Sequence, residues 1–183
     1  MSFTAEVKNE LVSVPESQGD SALAQLSALI RVSGTLSVQG PGKFAVRIVT
    51  ETGTVARTVV SSSRRLFDLD TSIEYRRSIM HKKRNYLLEI SNQDSLAEAL
   101  STLGIYIPGE GLVRGIPKNI VRTKQAQRAF LRGAFMAGGF VADPRKDFHL
   151  EIAVSGDEFA FDLVKLMGVF GVKARLNHRN RHT

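Results

Sequence analysis

Leu131-Arg132-Gly133-Ala134-Phe135-Met136-Ala137-Gly138-Gly139 decides the fold, together with a weaker echo at Leu26-Ser27-Ala28-Leu29-Ile30-Arg31-Val32-Ser33-Gly34. Each reads as the end of an apolar helix that carries small residues at four-residue spacing and stops at glycine. In the first copy the spaced set is Ala24, Ala28 and Val32, closed by Gly34. In the second it is Gly133 and Ala137, closed by Gly138 and Gly139. Small side chains one turn apart leave a groove that a second helix can approach closely. A glycine just past the last periodic residue predicts a left-handed stop. Two such helices predict a pair packed on each other, each carrying its own half of the molecule.

Working outward, the same order of elements follows both motifs. After Gly34, Thr35 to Gln39 and Phe44 to Val49 alternate around the turn Gly40-Pro41-Gly42 and predict a hairpin. Phe44, Val46 and Ile48 share one face of it, and Arg47 takes the other. The period turns helical from Gly53 to about Leu69. A second hairpin follows, Ile73 to Ile79 and Tyr86 to Ile90, with the tip His81-Lys82-Lys83-Arg84-Asn85. A short helix from Leu96 to Leu103, capped by Asn92 or Asp94 and stopped by Gly104, closes the unit.

After Gly139 the order begins again. Phe140-Val141, a turn at Asp143-Pro144 and the alternation of Phe148 to Val154 predict a hairpin. Ser155-Gly156-Asp157-Glu158 reads as a capping box for a helix with Phe159, Leu163, Leu166, Met167 and Phe170. Val172 to Asn177 predicts one more strand. The offset between the copies is about 105 residues, a tandem duplication of a large unit. The tail His178 to Thr183 aligns with the basic tip of the first copy, so the second unit is expected to be truncated.

The expected organisation is an N-terminal helix and connector over 1–19, a first half over 20–104, a Gly- and Pro-containing linker over 105–122, and an incomplete second half over 123–183. The opening helix is periodic at Phe3, Val7, Leu11 and Val14, with Ser2 or Thr4 as cap; Thr123 caps the second motif helix.

Composition is that of a folded domain, with 43% hydrophobic and 23% charged residues in 183. Arg31 and Arg132 break the longest apolar runs, so no membrane span is expected, and the charged start is unlike a secretory signal. The absence of cysteine removes disulfides, thiolate metal sites and cysteine nucleophiles. A cytoplasmic, nucleoid-associated location is the expectation. The net charge of +7, from 25 Lys+Arg against 18 Asp+Glu, favours a polyanionic partner, nucleic acid ahead of membrane.

A unit of helix, hairpin, helix, hairpin and helix, present twice and opened each time by a small-residue helix, resembles the LAGLIDADG fold of homing endonucleases. The resemblance implies an α+β architecture of duplicated αββαββα units, with a pseudo-two-fold axis through the two motif helices and a saddle of sheets over DNA. In that family each motif ends in an acid that holds the divalent ions of phosphodiester cleavage. Here those positions fall on Ser33 and Gly138, which supply no charged oxygen to a hard cation. The resemblance therefore implies binding without cutting, and no cofactor or metal.

Within this fold the chain is similar to the WhiA family of sporulation and cell-division regulators. The stretches Ser2 to Leu11, Leu26 to Gly34 and Arg128 to Phe135 carry that similarity. It implies a DNA-binding transcriptional regulator of cell division, chromosome segregation or sporulation. In the full-length family a helix-turn-helix domain follows, which lies outside these residues. The implied partners are double-stranded DNA and, beyond it, another transcription factor or an RNA polymerase component.

Residues placed to meet DNA phosphates are Arg47, Arg76, Lys82, Lys83 and Arg84 in the first half, and Lys173, Arg175 and Arg179 in the second. The plain alternative for the tips is solvated charge. Residues expected to pack the helix interface are Ala28, Val32, Gly34, Gly133, Ala137 and Gly139. Arg31 and Arg132 are read as structural, paired with acids or snorkelling past the interface. A second functional reading is a protein-interaction scaffold, with DNA left to the helix-turn-helix domain; an apolar patch on the open sheet face would favour it.

Overall fold

A computed structural model describes residues 2–14, 18–77 and 84–178. Helix α1 (Phe3–Ser13) starts at Ser2, whose hydroxyl accepts from the Ala5 amide. Helix α2 (Asp20–Ser33) runs directly into β1 (Gly34–Gly40), and β2 (Lys43–Thr50) returns. Helix α3 (Gly53–Phe67), β3 (Ser72–Arg77), β4 (Arg84–Ile90) and α4 (Leu96–Thr102) complete the first half. Then come β5 (Tyr106–Ile107), β6 (Gly111–Leu112), α5 (Lys124–Gly138), β7 (Gly139–Val141), β8 (Leu150–Ile152) and α6 (Asp157–Gly168).

The first half is a four-stranded antiparallel sheet, order β1-β2-β4-β3, with α2, α3 and α4 against one face. Alternation along β2 sends Phe44, Val46 and Ile48 into the core, at 2%, 1% and 0% exposure, beside Leu88 and Ile90 of β4. Leu26, Leu29 and Ile30 of α2, Val55 and Val59 of α3, and Leu96 and Leu100 of α4 close over them. Each such side chain contributes about 1.5–3 kcal/mol by leaving water. The second half has a smaller cluster, with Ala28, Phe130, Ala134, Phe159, Leu163 and Leu166 at its centre.

The two motif helices are the spine. Gly133 lies against Gln25 and Ala28, and Gly138 lies against Val32, so α2 and α5 run parallel with their C-terminal ends side by side. A Cβ on Gly133 would sit 2.5 Å from the Gln25 carbonyl and 3.0 Å from the Ala28 methyl. No larger residue fits at this approach.

Helix α1 binds both halves together. Its Asn9 accepts from the Thr54 hydroxyl of α3 at 2.6 Å. Its Thr4 hydroxyl donates to the Val141 carbonyl at 2.8 Å and accepts from the Val141 amide at 3.1 Å. An unpaired strand edge is thereby satisfied by a side chain.

Several expectations need correction. Gly34 and Gly139 are extended, with φ of −94° and −76°, not left-handed. Glycine is there for space: a Cβ at Gly34 would collide with the Ile30 carbonyl, and one at Gly139 with the ring and carbonyl of Phe135. The capping box at Ser155 does not form. Gly156 takes φ +88° and becomes the N-cap itself, moving the helix start past the position the box requires. Asn92 does not cap α4 but accepts from the Phe44 amide. Residues 172–178 form no strand, because the backbone there finds no ladder partner among the described residues. Within the linker, β5 and β6 form a hairpin, and the Tyr106 ring packs 4.7 Å from Phe44.

Candidate nucleic-acid interface

The motif ends define the first part of the site. At Ser33 the hydroxyl donates back to the Leu29 carbonyl at 2.7 Å, the i−4 bond of a helical serine. At Gly138 there is no room for any side chain. A Cβ would collide with the Ala153 carbonyl and lie 2.7 Å from the Val32 side chain. The Ala153 amide also donates to the Gly138 carbonyl at 3.0 Å, so the β8 side of the second half is drawn onto the helix end. The space a side chain at Gly138 would take is filled by the Ala153 backbone and Val32. Among the described residues no group of three His, Cys, Asp or Glu side chains could hold a metal ion.

The two motif arginines hold neutral oxygens on neighbouring elements. Arg31 donates to the carbonyls of Val113, at 3.0 Å, and Gly104, and its guanidinium lies 5.9 Å from the centre of the Phe159 ring. Burial pushes its pKa down to about 10, so it stays cationic at neutral pH. Arg132 holds the Gln25 amide oxygen with two donors, at 2.9 and 2.5 Å, and burial lowers its pKa too. Both tie α2 to its neighbours.

The open face of the large sheet is the second part. Register places Arg47 opposite Glu89, and the two meet at 3.1 Å. Arg76 pairs with Glu74, two residues back on its own strand face, also at 3.1 Å. Both pairs are well exposed and contribute at most about 1 kcal/mol each. Val49 stands opposite Leu87 between them, and Val49 is 52% exposed. Lys173 and Arg175 are exposed on the irregular segment after α6. Lys82, Lys83 and Arg179, and the side chain of Arg84, lie outside the described residues.

Sequence pattern alone does not reveal the carboxylates beside the arginines. Glu89 is 42 residues from Arg47, and only the β2–β4 register brings them together. Alternation of β4 does place Glu89 on the outer face, which was the one available signal.

This arrangement defines a duplicated α+β fold of the LAGLIDADG type, built on a parallel pair of motif helices. The comparisons agree. The model of the WhiA N-terminal LAGLIDADG-like domain matches residues 20–106, and that of the WhiA LAGLIDADG-like domain matches residues 127–183. A probable cell division protein WhiA from Desulforamulus reducens is 37% identical over 181 residues, covering 98% of this chain and 56% of that protein. The crystal structure of the N-terminal LAGLIDADG domain of WhiA superposes with a TM-score of 0.74 at 23% identity, covering 98% of this chain and 80% of that one. The homing endonuclease I-WcaI, solved bound to its DNA recognition sequence, superposes with a TM-score of 0.56 at 10% identity, covering 94% and 77%. The chain belongs to the WhiA family. It spans a little over half the length of the curated relatives it matches. No helix among the described residues is long and apolar enough to cross a membrane.

Proposed function

We propose that this chain is the non-catalytic, DNA-binding LAGLIDADG-like part of a transcriptional regulator of cell division. The observation that carries the reading is the closed motif end. The fold of a DNA-cleaving enzyme is kept while Gly138 is sealed by the Ala153 carbonyl and Val32. In-line phosphoryl chemistry needs charged oxygens that hold metal between attacking and leaving groups, and neither motif end offers one. What is left for the sheet face is contact with the phosphate backbone. Arg47, Arg76 and Arg84, the tip lysines Lys82 and Lys83, and Lys173, Arg175 and Arg179 are the donors proposed for it, with Ser33 and Gly138 inert.

The test is duplex DNA binding measured over a range of salt. The expected result is weakening as salt rises, and further weakening when Lys82, Lys83 and Arg84 become Ala. Glu89→Gln releases Arg47 from its partner, and the expected result is tighter binding with a steeper salt slope. Binding indifferent to salt and to all four positions overturns the reading. Incubation with supercoiled plasmid and Mg²⁺ should leave it unnicked.

One observation favours the scaffold reading. Arg47 and Arg76 are already neutralised by Glu89 and Glu74, and Val49 and Leu87 form an apolar pair on the same face. A folded chain with no affinity for any duplex selects it.

A further inference from the structure

A second charged surface lies at the N-terminal end of α5. Lys124 and Arg128, one turn apart at the start of α5, both stack on the Phe170 ring, at 5.3 and 5.6 Å from its centre. Neither has a carboxylate within ion-pair distance among the described residues, and the first turn of α5 carries no acid. Arg122 nearby is different: Asp20 holds it at 2.7 Å. Two unneutralised cations held at the positive end of a helix macrodipole are an electrostatic cost that a bound anionic group would relieve.

The backbone beside these cations carries apolar side chains. On α6, Phe159, Leu163 and Leu166 face the core. Val169, next to Phe170 at the end of the helix, is 47% exposed. Val172, just past the Gly171 turn at φ +77°, is 48% exposed, and Lys173 follows it into solvent. The first half is built otherwise at the matching place. Phe67, at the end of α3, packs against the core together with Leu23 and Leu66. Both phenylalanines are half-buried, but only the second is covered by two cations.

We infer that Lys124 and Arg128, with Phe170, Val169 and Val172, form a docking surface for an acidic amphipathic segment of a partner protein. A phosphate backbone would use the cations and gain nothing from a phenylalanine and two valines. A helix with carboxylates flanking an apolar stripe uses both. The surface is at the N-terminal end of α5, about 20 Å along that helix from the closed motif end. DNA on the sheet face would leave it open.

The test is selection of short random peptides displayed on phage against the whole chain, with counter-selection on the Lys124→Glu/Arg128→Glu double variant. Circular dichroism and thermal melting establish that the variant is folded. If it is not, Lys124→Gln/Arg128→Gln takes its place. The expected result is enrichment of peptides rich in Asp and Glu with Leu or Phe at helical spacing. A labelled peptide from that pool should bind the double variant about tenfold or more weakly, and Val169→Ser and Val172→Ser should weaken it too. A labelled DNA duplex should bind wild type and double variant alike. No enrichment over the counter-selected variant, enrichment of basic peptides, or loss of duplex binding in the double variant overturns the inference. The peptide arm reads out whether or not the sheet face takes DNA, so its failure and failure of the DNA reading are separate results.

Discussion

Phe44, Val46 and Ile48 on β2 and Phe148, Leu150 and Ile152 around β8 are the same pattern, one per half, yet all three of the first set are buried and only Ile152 of the second packs on a core. The first three are 2%, 1% and 0% exposed, whereas Phe148 and Leu150 are 91% and 53% exposed. Strand β2 has β1 on one side and β4 on the other, a helix layer over it and Tyr106 against Phe44. Strand β8 has β7 alone among the described residues. Alternation fixes which way a side chain points; neighbouring strands and helices decide whether it leaves water.

The largest effect should come from the paired substitutions Phe44→Ala and Phe148→Ala. The expected losses in denaturant unfolding are about 3–5 kcal/mol for Phe44 and within about 0.5 kcal/mol for Phe148. Equal losses would mean that Phe148 is covered in solution and would dissolve the contrast. Next is Gly138→Asp, which restores the acid of the cleaving fold at a closed position. It should destabilise by about 1–3 kcal/mol through overpacking against Val32 and the Ala153 carbonyl, with no nicking of plasmid in Mg²⁺. Thr4→Val should cost about 1–2 kcal/mol, since the Val141 amide and carbonyl lose their partner. Faster amide exchange at Val141 is the direct readout.

The smallest effect concerns the β7–β8 turn. Hydrogen bonds and charge from Arg145, with Lys146 adding to the charge, hold the Asp143 carboxyl at about 2, below its ordinary 3.8. A depressed carboxylate adds stability that is present above about pH 4 and is lost as pH falls through 2. Arg145→Ala should move the titration of Asp143 seen by NMR back toward 3.8 and flatten that acid limb.

The motif helices, the two hairpins of the first half and α3 were legible because their signal is local: small residues at four-residue spacing, alternation, glycine turns. What escaped depended on partners distant in the chain. Val172 to Asn177 alternates like a strand, but a strand needs a ladder. The Arg47–Glu89 pair follows from register, which no window of sequence contains. The motif glycines were found for the wrong reason: Gly34 and Gly139 serve close packing instead of a left-handed turn. Of the candidate site, Arg47 was expected on the face opposite Phe44, Val46 and Ile48 and stands exposed there, while the carboxylates beside Arg47 and Arg76 were not foreseen.

The bond between Thr4 and Val141 joins positions 137 residues apart. A contact of that span carries the loop-closure entropy of everything between its ends, and it can form only after the second motif helix has been synthesised and has handed over to β7. Helix α1 can settle earlier on α3, where Asn9 meets Thr54, but its bond to β7 waits for the second half. Until that bond forms the Val141 edge of β7 is bare, and its closing marks the moment when both halves have become one body.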